Sequence, residues 1–179
     1  MLKITIPEQE LWDESKQEFC YIKSINLQLE HSLVSLHKWE SKWHVPFFGK
    51  EEKSAEQIID YVRCMTLTQN VNPEVYRGLT KENVDQIMGY INDPMTATWF
   101  SNDGKKPPNR EIYTAEIFYY SMVALNIPFE CQKWHLNQLI TLIRVCQEKN
   151  KPPQKKSRRE IAQHHAAINA ARRAKAKKR

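Results

Sequence analysis

Glycine is scarce in this sequence. Its four glycines, at 49, 78, 89 and 104, are too few and too scattered for the glycine-rich loops that cradle phosphates in nucleotide-binding folds. No Gly-x-Ser-x-Gly nucleophile elbow can be assembled from them either. Paired cysteines are also lacking. Cys20, Cys64, Cys131 and Cys146 stand alone with no C-x-x-C spacing, which reads as reduced, mostly buried thiols rather than a disulfide framework. No run approaches the roughly 18 apolar residues that a spanning helix needs. Residues 1–6 alternate Leu2, Lys3, Ile4, Thr5 and Ile6 where a signal peptide would place an apolar block. With a mean hydropathy of −0.67, an intracellular, soluble protein is expected.

What is present argues for a folded body. At 41% hydrophobic and 27% charged residues the chain is too apolar for wholesale disorder. Its 179 residues suffice for one domain with a real core and an appendage. The net charge of +6 conceals an asymmetry. Residues 151–179 carry eleven Lys or Arg against the single acid Glu160, or +10, and the other 150 residues, with 16 basic and 20 acidic side chains, sum to −4. The basic character therefore belongs to a tail, and the body has no general attraction for polyanions.

Short strands are expected at residues 2–6, 19–22 and 26–30, where apolar and polar residues alternate, forming a small antiparallel sheet or ribbon. From Ser32 the period changes. Leu33, Leu36, Trp39 and Trp43 share one helical stripe, with Ser32 as cap and Pro46 as stop. Ser54-Ala55-Glu56-Gln57 is a capping box opening a second helix with Ile58, Ile59, Val62 and Met65 on its apolar face. Asn72-Pro73 opens a short helical turn, and Thr80 caps a helix that Asp93-Pro94 ends. Residues 101–110 read as a loop. Residues 112–125, apolar on most of their circumference, are expected to cross the centre of the domain, with a helix from about 130 to 146 packed antiparallel against them to supply the core. Lys151-Pro152-Pro153 begins a polar linker, after which Ser157-Arg158-Arg159-Glu160 forms another capping box. The expected fold class is mainly α: a helical domain over residues 1–150 with an N-terminal β ribbon, and over 151–179 a proline linker and a projecting basic helix.

Few residues suggest chemistry. Cys131 and His135 are four apart, so on one helix both face one side, but two ligands do not make a zinc site. His164, His165 and Asn169 superficially suggest a metal nuclease, yet they sit on a thin polar helix where ligands would not be held by packing. Neither catalysis nor a metal nor a cofactor is expected. The aromatic cluster Trp39, Trp43, Phe47 and Phe48 is mainly core material by its spacing, with residues 45–49 as an exposed apron that can bind a partner. Trp99 and Phe100, which end the run from Met95 beside a polar loop, form a second such candidate. In the tail, Ile161 and Ile168 mark a weak docking stripe among Arg158, Arg159, Arg172, Arg173, Lys175, Lys177, Lys178 and Arg179. That segment suits an acidic protein partner or nucleic acid equally, with a merely solvated tail behind them because the two isoleucines imply a docking face.

Three stretches carry a resemblance: Leu33-Val34-Ser35-Leu36 with Trp39-Glu40-Ser41-Lys42-Trp43, then Asp60-Tyr61-Val62-Arg63-Cys64-Met65-Thr66, then Pro94-Met95-Thr96-Ala97-Thr98-Trp99-Phe100. With Ile127-Pro128-Phe129-Glu130-Cys131-Gln132-Lys133-Trp134-His135-Leu136 and the basic end over 159–173, the chain from about Leu29 resembles proteins of tailed bacteriophages. Its size, helical content, acidic body and basic end are similar to those of the tail assembly chaperones of long-tailed phages. The resemblance implies a non-enzymatic protein of the host cell cytoplasm that binds the tape measure protein before the tail tube polymerises. A virion structural or nucleic-acid-binding protein of the same phages is the alternative. No residue role transfers from the resemblance position by position.

Overall fold

The computed structural model describes residues 1–13, 17–100, 112–151, 162–163 and 165–169. The expected loop at 101–110, the linker with its capping box at 157–160, His164, and the tail cations Arg158, Arg159, Arg172, Arg173, Lys175, Lys177, Lys178 and Arg179 lie outside the described residues. The chain divides into two compact units, Met1–Gln147 and Glu148–Arg179. In the second, the backbone is helical at 162–163 and 165–169.

The first unit opens with four strands: β1 (Leu2–Ile6), β2 (Gln9–Asp13), β3 (Glu18–Ile22) and β4 (Ile25–Leu29). They pair as two antiparallel ribbons, β1 with β4 and β2 with β3, in a single register in which partner numbers always sum to 31. The ladder is interrupted where Pro7 cannot donate a backbone hydrogen bond and where Lys23-Ser24 face it. The buried face switches at the interruption. Ile4, Ile6, Leu27 and Leu29 point inward on the first half, but Ile22 with the half-buried Leu11 and Cys20 does so on the second. Glu10, Trp12, Phe19 and Tyr21 are left outside. β2 was not among the expected strands, because one leucine and one tryptophan among polar neighbours give too faint an alternation.

Five α-helices follow among the described residues: α1 (Leu33–Trp43), α2 (Ala55–Met65), α3 (Lys81–Asn92), α4 (Ala115–Ala124) and α5 (Leu136–Asn150), with short 3-10 turns at Pro73–Gly78 and Phe129–Lys133. Ser32, Ser54 and Thr80 each close a reciprocal capping box with Ser35, Gln57 and Asn83, which satisfies two otherwise orphaned backbone donors per helix.

The core has two clusters, and α1 divides them. Trp39 joins the ribbon residues Ile4, Ile6, Leu27 and Leu29 with Tyr61, Met65 and Tyr76. Leu33 and Leu36 join Phe118, Met122, Leu136 and Leu139. Phe47 packs against both clusters. Each of these buried side chains contributes on the order of 2 kcal/mol by removal from water.

The structure departs from two expectations. The segment 112–125 does not run buried through the centre, since α4 begins only at Ala115 and leaves Tyr120 and Val123 73% and 59% exposed. It also shares its core with α1 and does not build one with α5 alone. The helix expected over 130–146 is broken: Trp134 is extended, His135 bridges to Ser32, and the Leu136 N–H donates to the His31 carbonyl at 2.7 Å. A strand-like tie to the chain before α1 outweighs the helical pattern there.

Candidate functional site

Helix α1 ends at His44 in a left-handed conformation, φ 55°, and the chain turns through Val45 and Pro46 to Phe47 and Phe48. One buried carboxylate fixes this turn. Glu40 accepts the Phe47 backbone N–H on Oε1 at 2.8 Å and the Ala115 backbone N–H on Oε2 at 2.7 Å. Thr114, the residue before α4, makes no side-chain cap, so Glu40 supplies the acceptor and the negative charge that a helix N-terminus favours. The apron and the entry to α4 therefore hang from the same side chain.

A chain of rings runs from core to surface here. Tyr61 and Phe47 stand 4.2 Å apart between centroids, Phe47 and Phe48 5.4 Å, Phe48 and Phe118 6.2 Å, and Phe118 stacks on Tyr113 at 5.7 Å. At the outer end Phe48 is 44% exposed and Ile112 47%. Two hollows of about 340 Å³ each flank this strip, and Val45 and Pro46 line both. The first is lined also by Glu40, Ser41, His44, Thr114 and Glu116. The second is lined also by Ile112, Lys50, Glu51, Glu52 and Lys53, against the buried Trp39. The Lys53 ammonium lies 4.7 Å from the Phe47 ring centre and 5.9 Å from that of Trp39. Exposed apolar side chains bordered by charges of both signs suit an amphipathic protein segment.

The six aromatic residues singled out in the sequence separate on this geometry. Trp39 is fully buried and donates its indole N–H to the Gln57 carbonyl at 2.8 Å. It is a core residue that no partner can touch while the fold is intact, which corrects its place among the binding candidates. Trp43 is half-buried, its N–H held by Asp60 at 2.9 Å, while Lys42 pairs with the other oxygen of that buried carboxylate. Phe47 is half-buried and supports Phe48. Trp99 is 81% exposed, and Phe100 lies under the Arg144 guanidinium at 4.0 Å. Ile112, Tyr113 and Lys53 were missed. The first two sat inside an expected helix, and nothing local to Lys53 tells that it covers two rings.

Behind the apron lies a buried polar cluster. The His31 Nδ1 and the Tyr61 hydroxyl are 2.6 Å apart, and the rings of His31 and His135 meet edge to face at 5.2 Å. His135 donates from Nε2 to the Tyr90 carbonyl and accepts the Asn137 N–H on Nδ1, while the Tyr90 hydroxyl donates to Glu30 at 2.7 Å. Burial, reinforced by His135, pulls the His31 pKa down to about 3. Burial also pushes the Tyr61 and Tyr90 hydroxyls well above the usual phenol range. The His31 ring and the two tyrosine hydroxyls therefore stay neutral at neutral pH. Cys131 and His135 do not share a helix face, since the first lies in a 3-10 turn and the second just before α5. Among the described residues no group of three or more His, Cys, Asp or Glu is placed to hold a metal ion.

No family model, curated protein or solved structure matches this chain. Among the described residues no helix is long and apolar enough to cross a membrane.

Proposed function

We propose that the protein is a tail assembly chaperone of a long-tailed bacteriophage, acting in the host cytoplasm, and that the apron binds the tape measure protein. The observation that carries this reading is the exposure of Phe48 and Ile112, the second of which lines a hollow with Val45, Pro46, Lys50, Glu51, Glu52 and Lys53. A tape measure protein is a long helix whose apolar stripe aggregates unless covered before the tube encloses it. An amphipathic helix laid on the apron buries that stripe and meets charges of both signs at its edges. Trp99, 81% exposed, offers a further anchor.

The finer architecture belongs to the same proposal. Residues 151–179, as a proline linker and a basic helical tail, add a tethered weak contact. The charge of +10 on this segment favours one second reading, a virion or nucleic-acid-binding protein that neutralises phosphates through the tail.

Co-expression of the full chain with a coiled-coil segment of the tape measure protein separates the two. A soluble stoichiometric complex that persists in high salt supports the chaperone. Retention on DNA that collapses with salt, with no effect on tape measure solubility, supports the alternative.

A further inference from the structure

We propose that the outer face of the β2–β3 ribbon docks the basic segment 151–179 of a second copy of the chain. This goes beyond the tape measure reading and does not rest on it. On that face the cross-strand pairs are Glu10 with Tyr21 and Trp12 with Phe19. Phe19 is 68% exposed, Tyr21 54% and Trp12 49%, and the rings of Trp12 and Phe19 meet edge to face at 5.0 Å. The Tyr21 hydroxyl donates to Glu8, and Glu8 and Glu10 are themselves exposed. Over residues 8–22 the sequence carries five acids, Glu8, Glu10, Asp13, Glu14 and Glu18, against the single Lys16. Lys23 follows just beyond β3.

Three bare rings on a two-stranded ribbon are an adhesive surface in water, and their chemistry specifies what adheres. Indole and phenyl faces attract guanidinium and ammonium groups, and carboxylates beside them supply ion pairs and charge-assisted hydrogen bonds. The complementary surface is a basic segment with a little apolar area of its own. The chain carries one: residues 151–179 bring Arg158, Arg159, Arg172 and Arg173 among eleven cations, with Ile161 and Ile168 between them. Ribbon and tail belong to different units, and every copy synthesised brings one of each. The resulting contact is head-to-tail, and a second pairing of the same kind closes a dimer.

Sedimentation velocity of the full chain tests this. In about 50 mM salt the chain is expected to associate with rising concentration, and raising the salt to about 300 mM is expected to weaken that association at least about tenfold, because its ion pairs are screened. Replacing two exposed rings, Trp12→Ala with Phe19→Ala, is expected to weaken it by about tenfold or more with an unchanged circular dichroism spectrum. A charge exchange covers the case in which that variant is misfolded. Glu8→Lys with Glu10→Lys, and separately Arg158, Arg159, Arg172 and Arg173 all →Glu, are each expected to be monomeric alone and to associate on mixing. A wild-type chain that stays monomeric in low salt, association that both ribbon variants leave intact, or charge variants that fail to associate on mixing would each overturn the proposal. So would a monomeric chain whose ribbon binds an unrelated arginine-rich peptide, which would assign the face to a different partner.

Discussion

Glu40 on α1 holds the first backbone N–H of α4, at Ala115, across 75 residues of sequence at 2.7 Å, and with its other oxygen it holds Phe47. Glu40 is thus the joint between the apron and the second core cluster. Glu40→Ala leaves two donors near the core without an acceptor, and is expected to destabilise the fold by about 2–3 kcal/mol, the range for hydrogen bonds to a charged group. Glu40→Gln keeps one acceptor oxygen and should cost about half as much. Urea unfolding of both variants checks the order, and equal stability of Glu40→Ala and wild type would remove the joint from the account.

Two glycines should respond in opposite directions. A Cβ at Gly78 would stand 2.4 Å from the Gln9 amide nitrogen, 3.1 Å from Ile22 and 3.2 Å from Ile6, and Gln9 donates to the Gly78 carbonyl at 2.6 Å. Gly78→Ala should therefore cost about 1–2 kcal/mol by overpacking where the 3-10 turn crosses the ribbon. Gly89 sits inside α3 with nothing within 4 Å of such a Cβ, so Gly89→Ala should stabilise by roughly 0.5–1 kcal/mol. Thermal unfolding of the pair reads both signs.

His31 predicts a pH dependence. Its native pKa is lowered to about 3 by burial and by His135, whereas in the unfolded chain it titrates near the ordinary value of about 6.5. Between those values the unfolded state binds the extra proton, so stability falls as pH falls through that window and is fully present above it. From pH 7.5 to pH 5.5 the loss should be about 1 kcal/mol, and His31→Gln should flatten that part of the profile. An unaltered slope in the variant would show that other groups produce it.

The parts of this fold that were legible in the sequence were those decided locally. Ser32, Ser54 and Thr80 begin helices because a hydroxyl at that position satisfies backbone donors whatever the tertiary context, and residues 2–6 alternate because one face of β1 is buried. What was hidden depends on partners distant in sequence. The extended stretch at Trp134 and His135 is fixed by Ser32 and His31, about a hundred residues earlier in the chain. The exposed rings of the β2–β3 ribbon follow from a face switch at Pro7, which no periodicity within β2 announces. At the apron, the spacing of Trp39 and Trp43 gave a stripe, but only packing tells that Trp39 lies beneath Lys53 and that Phe48 and Ile112 are both exposed.

Truncation after Asn150 should leave a folded body. The deleted segment adds only Ile161 and Ile168 as large aliphatic side chains, and no residue after Ile143 belongs to the buried set of either core cluster. Circular dichroism and a cooperative melt within a few degrees of the full chain are expected, and a truncated body with no melting transition would contradict the division.

The central claim is that the apron binds an amphipathic segment of the tape measure protein. It is tested most directly by calorimetric titration of that segment into the full chain and into Phe48→Ala, at low and high salt. Phe48 is 44% exposed, so its removal should spare the fold. Saturable binding is expected that weakens about tenfold or more in the variant, as for a truncated aromatic anchor, and changes little with salt. Binding of equal strength in both proteins, or no binding by the wild-type chain, would contradict it.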